Sequence, residues 1–238
     1  FGILAILWLG TENILQHPKS SEWNLMGLES IRNNPNYYDV IISGTSMAVT
    51  NISAEELYLK YGIASVSIGE PEQMTFLSYY SLAEALKYQS PKVVLFDIKS
   101  LFYSEEVQAE HIKSGEEYHV HYTLDSIKDI KIKYDAVKQV QKLHPTSTIW
   151  SYFSKMYQNH ANWEEIEKVN FLFEKSEDII LGSKSLIGIK ENISNDKPLI
   201  WSENTGEKET IPNINLDYLK KMVELCESQN VKLVLIIM

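Results

Sequence analysis

The stretch Tyr38-Asp39-Val40-Ile41-Ile42-Ser43-Gly44-Thr45-Ser46-Met47-Ala48 decides how this chain is read. A β-branched apolar run stops at Gly-Thr-Ser, and helix-prone residues follow. A short run bounded by turn residues reads as a strand buried on both faces, the mark of a parallel sheet. The turn puts the Ser46 hydroxyl at the carboxyl end of that strand, where open α/β sheets bind their ligands. Two roles fit that position. Ser46 is either the nucleophile of a hydrolase or acyltransferase, with N–H groups of the following helix ready for an oxyanion, or the N-cap of that helix. Gly-x-Ser-x-Gly is absent, so the α/β-hydrolase nucleophile elbow does not apply.

Outward from this stretch the same format recurs. Residues 64–68 precede Gly69-Glu70-Pro71, residues 93–96 precede Asp97, and 231–237 form a fourth run. Helical patterns lie between them. Ser53 with Glu56 makes a capping box for a helix to 59. Apolar spacing predicts a helix over 75–88, and Asn215 is read as the cap of a helix to 229. Strand–helix alternation predicts an α/β fold with a doubly wound, mainly parallel sheet, a flavodoxin-like three-layer sandwich. Residues 100–210 break the rhythm and read as a mostly helical insertion between the third and fourth strands. Helices are expected there near 123–143, 147–157 and 162–173, then a strand-poor polar tract over 176–210. Insertions of this size on a rigid sheet shape a substrate site or a partner surface.

Bulk composition narrows the classes. A chain of 238 residues with 44% hydrophobic and 23% charged residues is globular. The net charge of −10, with no Lys/Arg cluster, argues against nucleic acid as a partner. The single Cys226 excludes an internal disulfide and a Cys-rich zinc site. Phe1-Gly-Ile-Leu-Ala-Ile-Leu-Trp-Leu-Gly10 is almost wholly apolar and about half a bilayer span long. Residues 1–22 are therefore expected to be the end of an N-terminal membrane anchor and its linker, with the α/β domain over 23–238. A buried N-terminal strand or helix is the alternative. The sequence reads as cut at both ends.

Asp39-Val-Ile-Ile-Ser-Gly-Thr-Ser46 resembles the first block of the SGNH (GDSL-type) hydrolase superfamily, in the form of its exported branch. The likeness runs on through Ile52-Ser-Ala-Glu-Glu-Leu57, Gly62-Ile-Ala-Ser-Val-Ser-Ile-Gly69, Glu72-Gln73 with Tyr79-Tyr80, and Tyr88-Gln-Ser-Pro-Lys-Val-Val-Leu95. It is similar to membrane-anchored members related to the DltD family of teichoic-acid D-alanylation. The resemblance implies Ser46 as nucleophile and the Ser46 and Gly69 N–H groups as oxyanion donors, with Gln73 near the pocket. It places the catalytic base on an Asp-x-x-His block beyond Met238. The family's third-block asparagine is missing, since Asp97-Ile98-Lys99 stands there, so that role passes to no residue. The implied activity is that of an exported serine esterase or acyltransferase at the extracytoplasmic face of the membrane. Its substrates would be cell-wall or teichoic-acid-type polymers or an acyl donor, and no cofactor is implied. A non-catalytic envelope protein binding glycan or a partner protein on the same scaffold is the alternative. A cytosolic Rossmann-like protein is disfavoured because no Gly-x-Gly-x-x-Gly follows the first strand.

Three further features compete with this site. His160, among Tyr157, Asn159, Asn162 and Trp163, is the in-chain rival for the base; a packing histidine is the plainer reading. His119 and His121 are expected to alternate on one face of an extended stretch, spaced as two metal ligands would be. No third ligand accompanies them, so no metal is assigned. Glu70 and Glu72 flank Pro71 as either paired carboxylates or a simple turn.

Overall fold

The computed structural model of the chain describes residues 23–113, 117–154, 157, 179–180, 183–184 and 210–238. In chain order its elements are α1 (Trp23–Asn33), β1 (Val40–Ser43), α2 (Ser46–Asn51), α3 (Ala54–Tyr61), β2 (Ser65–Ser67), α4 (Thr75–Ala85) and β3 (Val93–Asp97). A 3-10 turn (Ile98–Phe102) leads to α5 (Glu105–Lys113), α6 (Glu117–Ser126), α7 (Ile130–Leu143) and α8 (Trp150–Phe153). The ribbon β4 (Ile179–Ile180) and β5 (Ser183–Lys184), α9 (Asn213–Ser228) and β6 (Lys232–Ile236) complete the described chain.

Four strands form an all-parallel sheet in the order β2-β1-β3-β6. Ile41 and Ile42 are successive residues of β1 that point to opposite faces, and both are fully buried, so the sheet is covered on both sides. The step from β1 to β2 runs one way across the sheet, and the steps to β3 and β6 run the other. Right-handed crossovers therefore place α2 and α3 on one face and α4 and α9 on the opposite one. α4 packs against α9, α7 and α1, while α3 lies on β2 and α2 on β1 and β3. This is the doubly wound α/β architecture expected from the strand–helix alternation. Its winding reverses between β1 and β3, and the crevice outside their carboxyl ends is the place where such sheets bind ligands.

Two apolar cores hold the layers. Ile41, Val66, Val94 and Phe96 meet Leu28, Ile31, Leu82, Met222 and Cys226 under α1, α4 and α9. Met74, Leu77, Ile112, Val120, Leu124, Val137, Val140, Tyr152 and Tyr218 join the helices of the insertion to α4 and α9. Each such side chain contributes about 1.5–3 kcal/mol by leaving water, so the insertion is fastened to the sheet domain by burial.

Several boundaries differ from the sequence reading. The helix expected over 123–143 is two helices, because Asp129 accepts hydrogen bonds from the N–H groups of Lys131 (2.8 Å) and Ile132 (3.0 Å) and starts α7 afresh. α4 stops at Ala85, and Leu86 takes the C-cap position. Ser53 caps α3 by accepting the Glu56 N–H at 3.1 Å, as the capping box predicts. Asn215 does not cap α9, whose N-cap position is Pro212. Its buried amide instead donates to the carbonyls of Leu101 (3.0 Å) and Tyr103 (2.8 Å), tying α9 to the turn after β3. In the tract expected to be strand-poor, β4 and β5 pair antiparallel. The helix expected over 162–173 lies outside the described residues, as does the anchor expected over 1–22.

Candidate active site

The turn after β1 is shaped by Gly44 and a carboxylate from the next strand. Gly44 has φ +136, and a Cβ there would sit 2.6 Å from Asp97 Cβ. Thr45 is the N-cap of α2, with φ −81 and ψ −171, and its Oγ1 accepts the Met47 N–H at 3.3 Å. The same hydroxyl donates to Asp97 Oδ2 at 2.6 Å. Asp97 Oδ1 accepts the Lys99 N–H at 3.1 Å and so caps the 3-10 turn. One carboxylate, 1% exposed, thus holds both strand ends of the switch-point crevice. Neither Thr45 nor Asp97 was singled out from sequence as a site residue, although Asp97 ends a strand beside the reversal.

This corrects the reading of Ser46 as a helix cap. The cap is Thr45, and Ser46 is the first residue of α2. The Ser46 side chain is partly exposed. Among the described residues no side chain hydrogen-bonds its hydroxyl, and only its carbonyl is engaged, by Thr50 Oγ1 at 2.9 Å. In the first turn of α2, the Met47 N–H goes to Thr45 Oγ1 and the Ala48 N–H to the Thr45 carbonyl. The Ser46 N–H, one of the expected oxyanion donors, is not consumed by these bonds.

The structure brings the second block against the first. A Cβ on Gly69 would lie 2.9 Å from the Gly44 carbonyl oxygen and 3.3 Å from that of Thr45. The Glu70 N–H donates to the Gly44 carbonyl at 3.2 Å. The Gly69 N–H itself is turned to Ser67 Oγ, at a long 3.4 Å. Gln73 is not aimed at the turn. Its buried side chain donates to Thr123 Oγ1 at 3.4 Å and accepts from Ser78 Oγ at 3.2 Å, joining α4 to α6.

The two carboxylates around Pro71 diverge. Glu70 is fully buried, and its Oε2 accepts the Asn24 N–H at the start of α1, at 3.3 Å. Its Oε1 faces His119 Nδ1 at 3.4 Å. Glu72 accepts from the Tyr103 hydroxyl at 3.1 Å, and burial, then the Glu72 charge, raise that phenol's pKa far above its ordinary value. Forty-nine residues separate Glu70 from His119, and no local pattern announces the pair.

His119 and His121 do not share an extended face. Both lie in α6, where residues two apart point about 200° apart around the axis. His119 meets Glu70, whereas His121 stacks on Tyr152 with ring centroids 4.7 Å apart. Among the described residues no group of three or more His, Cys, Asp or Glu could hold a metal ion. His119 and His111 line a hollow of about 10 Å³ with Glu72 and Gln73, room for roughly one water. Burial pushes the Cys226 thiol up to about 11, which leaves it a poor nucleophile at neutral pH. His160 lies outside the described residues, and no described histidine is hydrogen-bonded to Ser46.

Comparison of the chain with family models, with curated proteins and with solved structures finds no match. Among the described residues no helix is long and apolar enough to cross a membrane.

Proposed function

We propose that this protein is an exported, membrane-anchored serine esterase or O-acyltransferase of the SGNH type, acting on acylated cell-envelope polymers. The observation that carries the reading is the division of labour in the first turn. Thr45 does the capping, and the adjacent Ser46 hydroxyl is left open at the point where the winding of the sheet reverses. In the proposed reaction Ser46 Oγ attacks an ester carbonyl while a histidine takes its proton. The alcohol leaves with that proton, and water or a polymer hydroxyl then releases the acyl group from Ser46. A neutral serine needs this base. The family resemblance assigns it to an Asp-x-x-His block beyond Met238, with His160 as the rival within the chain.

The test is covalent labelling of the full-length protein by a fluorophosphonate, alongside ester hydrolysis. Ser46→Ala is expected to abolish labelling and to lower hydrolysis by roughly 10³-fold or more. Unchanged hydrolysis in Ser46→Ala would refute the nucleophile.

One observation favours the second reading, a non-catalytic envelope protein that binds glycan or a partner protein. The Gly69 N–H is turned to Ser67 Oγ, and a buried carboxylate, Asp97, stands in the switch-point crevice where developing negative charge would be disfavoured. That reading expects no labelling of the wild type, and polymer binding that Ser46→Ala leaves unaltered.

A further inference from the structure

Burying a carboxylate costs several kcal/mol unless it is paired and hydrogen-bonded. This chain buries one directly after Gly69, at Glu70, whose backbone also touches the first turn. Its N–H donates to the Gly44 carbonyl, two residues before Ser46. Its carboxylate is gripped from two helices outside the sheet, by the Asn24 N–H in the first turn of α1 and by His119 of α6. The partial positive charge at the start of α1 favours the anion there. Asn24 also binds the neighbouring loop directly, its Nδ2 donating to the Ile68 carbonyl at 2.5 Å and to Ser81 Oγ at 3.2 Å. Ser126 of α6 closes the set by donating to Asn24 Oδ1. The polar chain runs from α6 through α1 and Glu70 to the carbonyl of Gly44.

We infer that Glu70 is a positioning residue for the Ser46 turn, fixing the second loop against the first through its clamp on α1 and α6. The inference rests on the proposed role of Ser46. Glu70 touches no reacting atom. It sets where the Gly44 carbonyl stands, and with it the aim of the serine and of the Gly69 backbone. The insertion thereby reaches the candidate nucleophile through one buried side chain, and His119 is a strut of the site instead of a metal ligand.

The experiment measures phosphonylation of the full-length protein by a fluorophosphonate, resolved into kinact and KI, with hydrogen exchange of the amides in 43–48 and of Glu70. Glu70→Gln keeps the shape and removes the charge. Misaiming a reacting group by about 1 Å costs on the order of a hundredfold, so kinact is expected to fall by roughly ten- to a hundredfold at unchanged KI. Exchange at the Glu70 amide is expected to quicken in step. His119→Gln, which keeps a donor, should retain most of the rate that His119→Leu loses. A folded Glu70→Gln protein with wild-type kinact and wild-type exchange would overturn the inference. If Glu70→Gln does not fold, equal kinact in the two His119 variants overturns it instead. If the wild type takes no label, the Ser46 reading fails by itself, and amide exchange in the His119 pair still decides whether the clamp holds the turn.

Discussion

The two turns at the carboxyl edge of the sheet are stiffened in opposite ways. The turn after β1 is held from within the sheet, because Asp97 of β3 binds Thr45 Oγ1 and the Lys99 N–H at once. The turn after β2 is held from outside it, because Glu70 is gripped by α1 and α6. The first turn therefore owes its shape to the backbone and its nearest strand. The second owes its shape to helices far away in sequence. Disturbing the insertion should therefore reach the Ser46 turn through the second turn, by way of the Gly44 carbonyl, while the Asp97 bonds to Thr45 and Lys99 stay in place.

The sharpest way to break this contrast is to add a methyl group to each turn. Gly44→Ala forces a Cβ to 2.6 Å from Asp97 Cβ, at a φ of +136 that other residues rarely adopt. Strain and overpacking together should cost about 3 kcal/mol or more. Gly69→Ala meets the Val49 methyl at 2.8 Å, which can rotate, and the Gly44 carbonyl at 2.9 Å, which can shift only with its loop. A cost of about 2 kcal/mol is expected. Urea unfolding of both variants checks the order, and a Gly69→Ala protein that loses as much as Gly44→Ala would put the two turns on equal terms.

A smaller effect separates neighbours within the first turn. Thr45→Val removes the cap and leaves Asp97 Oδ2 without its short hydrogen bond, at about 1–2 kcal/mol. Ser46→Ala removes a hydroxyl with no described side-chain partner, and stability should move by less than about 0.5 kcal/mol. Equal losses in the two variants would show that Ser46 shares the capping and is not kept free for chemistry.

The sheet half of the molecule was legible because its signals are local. Four short apolar runs, three of them ended by a turn residue, state a parallel sheet without help from distant residues, and Ser53 with Glu56 states a cap. The same local reading placed Ser46 at a strand end, whereas only the likeness to SGNH hydrolases set Gly69 beside it, and the two loops do meet through their backbones. It failed where two local patterns compete. Thr45 and Ser46 are both good caps, and only the Asp97 carboxylate, contributed by another strand, decides between them. His-x-His fits an extended pair as well as a helix, and α6 forms because Val120 and Leu124, four residues apart, are buried in the insertion core. The Glu70–His119 pair has no local signature at all.

Gln73 gives the smallest predicted effect on labelling and the cleanest separation of alternatives. Its side chain bridges Thr123 and Ser78, and Thr123 Oγ1 keeps a second bond to the His119 carbonyl at 3.3 Å. Gln73→Leu conserves most of the volume, so losing these bonds should cost about 1 kcal/mol. An oxyanion donor behaves differently, since removing one lowers the rate by roughly 10²–10³-fold. The geometry puts the Gln73 amide on the side of α6, so fluorophosphonate labelling of Gln73→Leu should stay within about threefold of wild type. A hundredfold loss in a protein of near-native stability would return Gln73 to the oxyanion site. It would also mean that the second turn swings toward Ser46 when substrate arrives, making it the moving member of the pair and the β1 turn the fixed one.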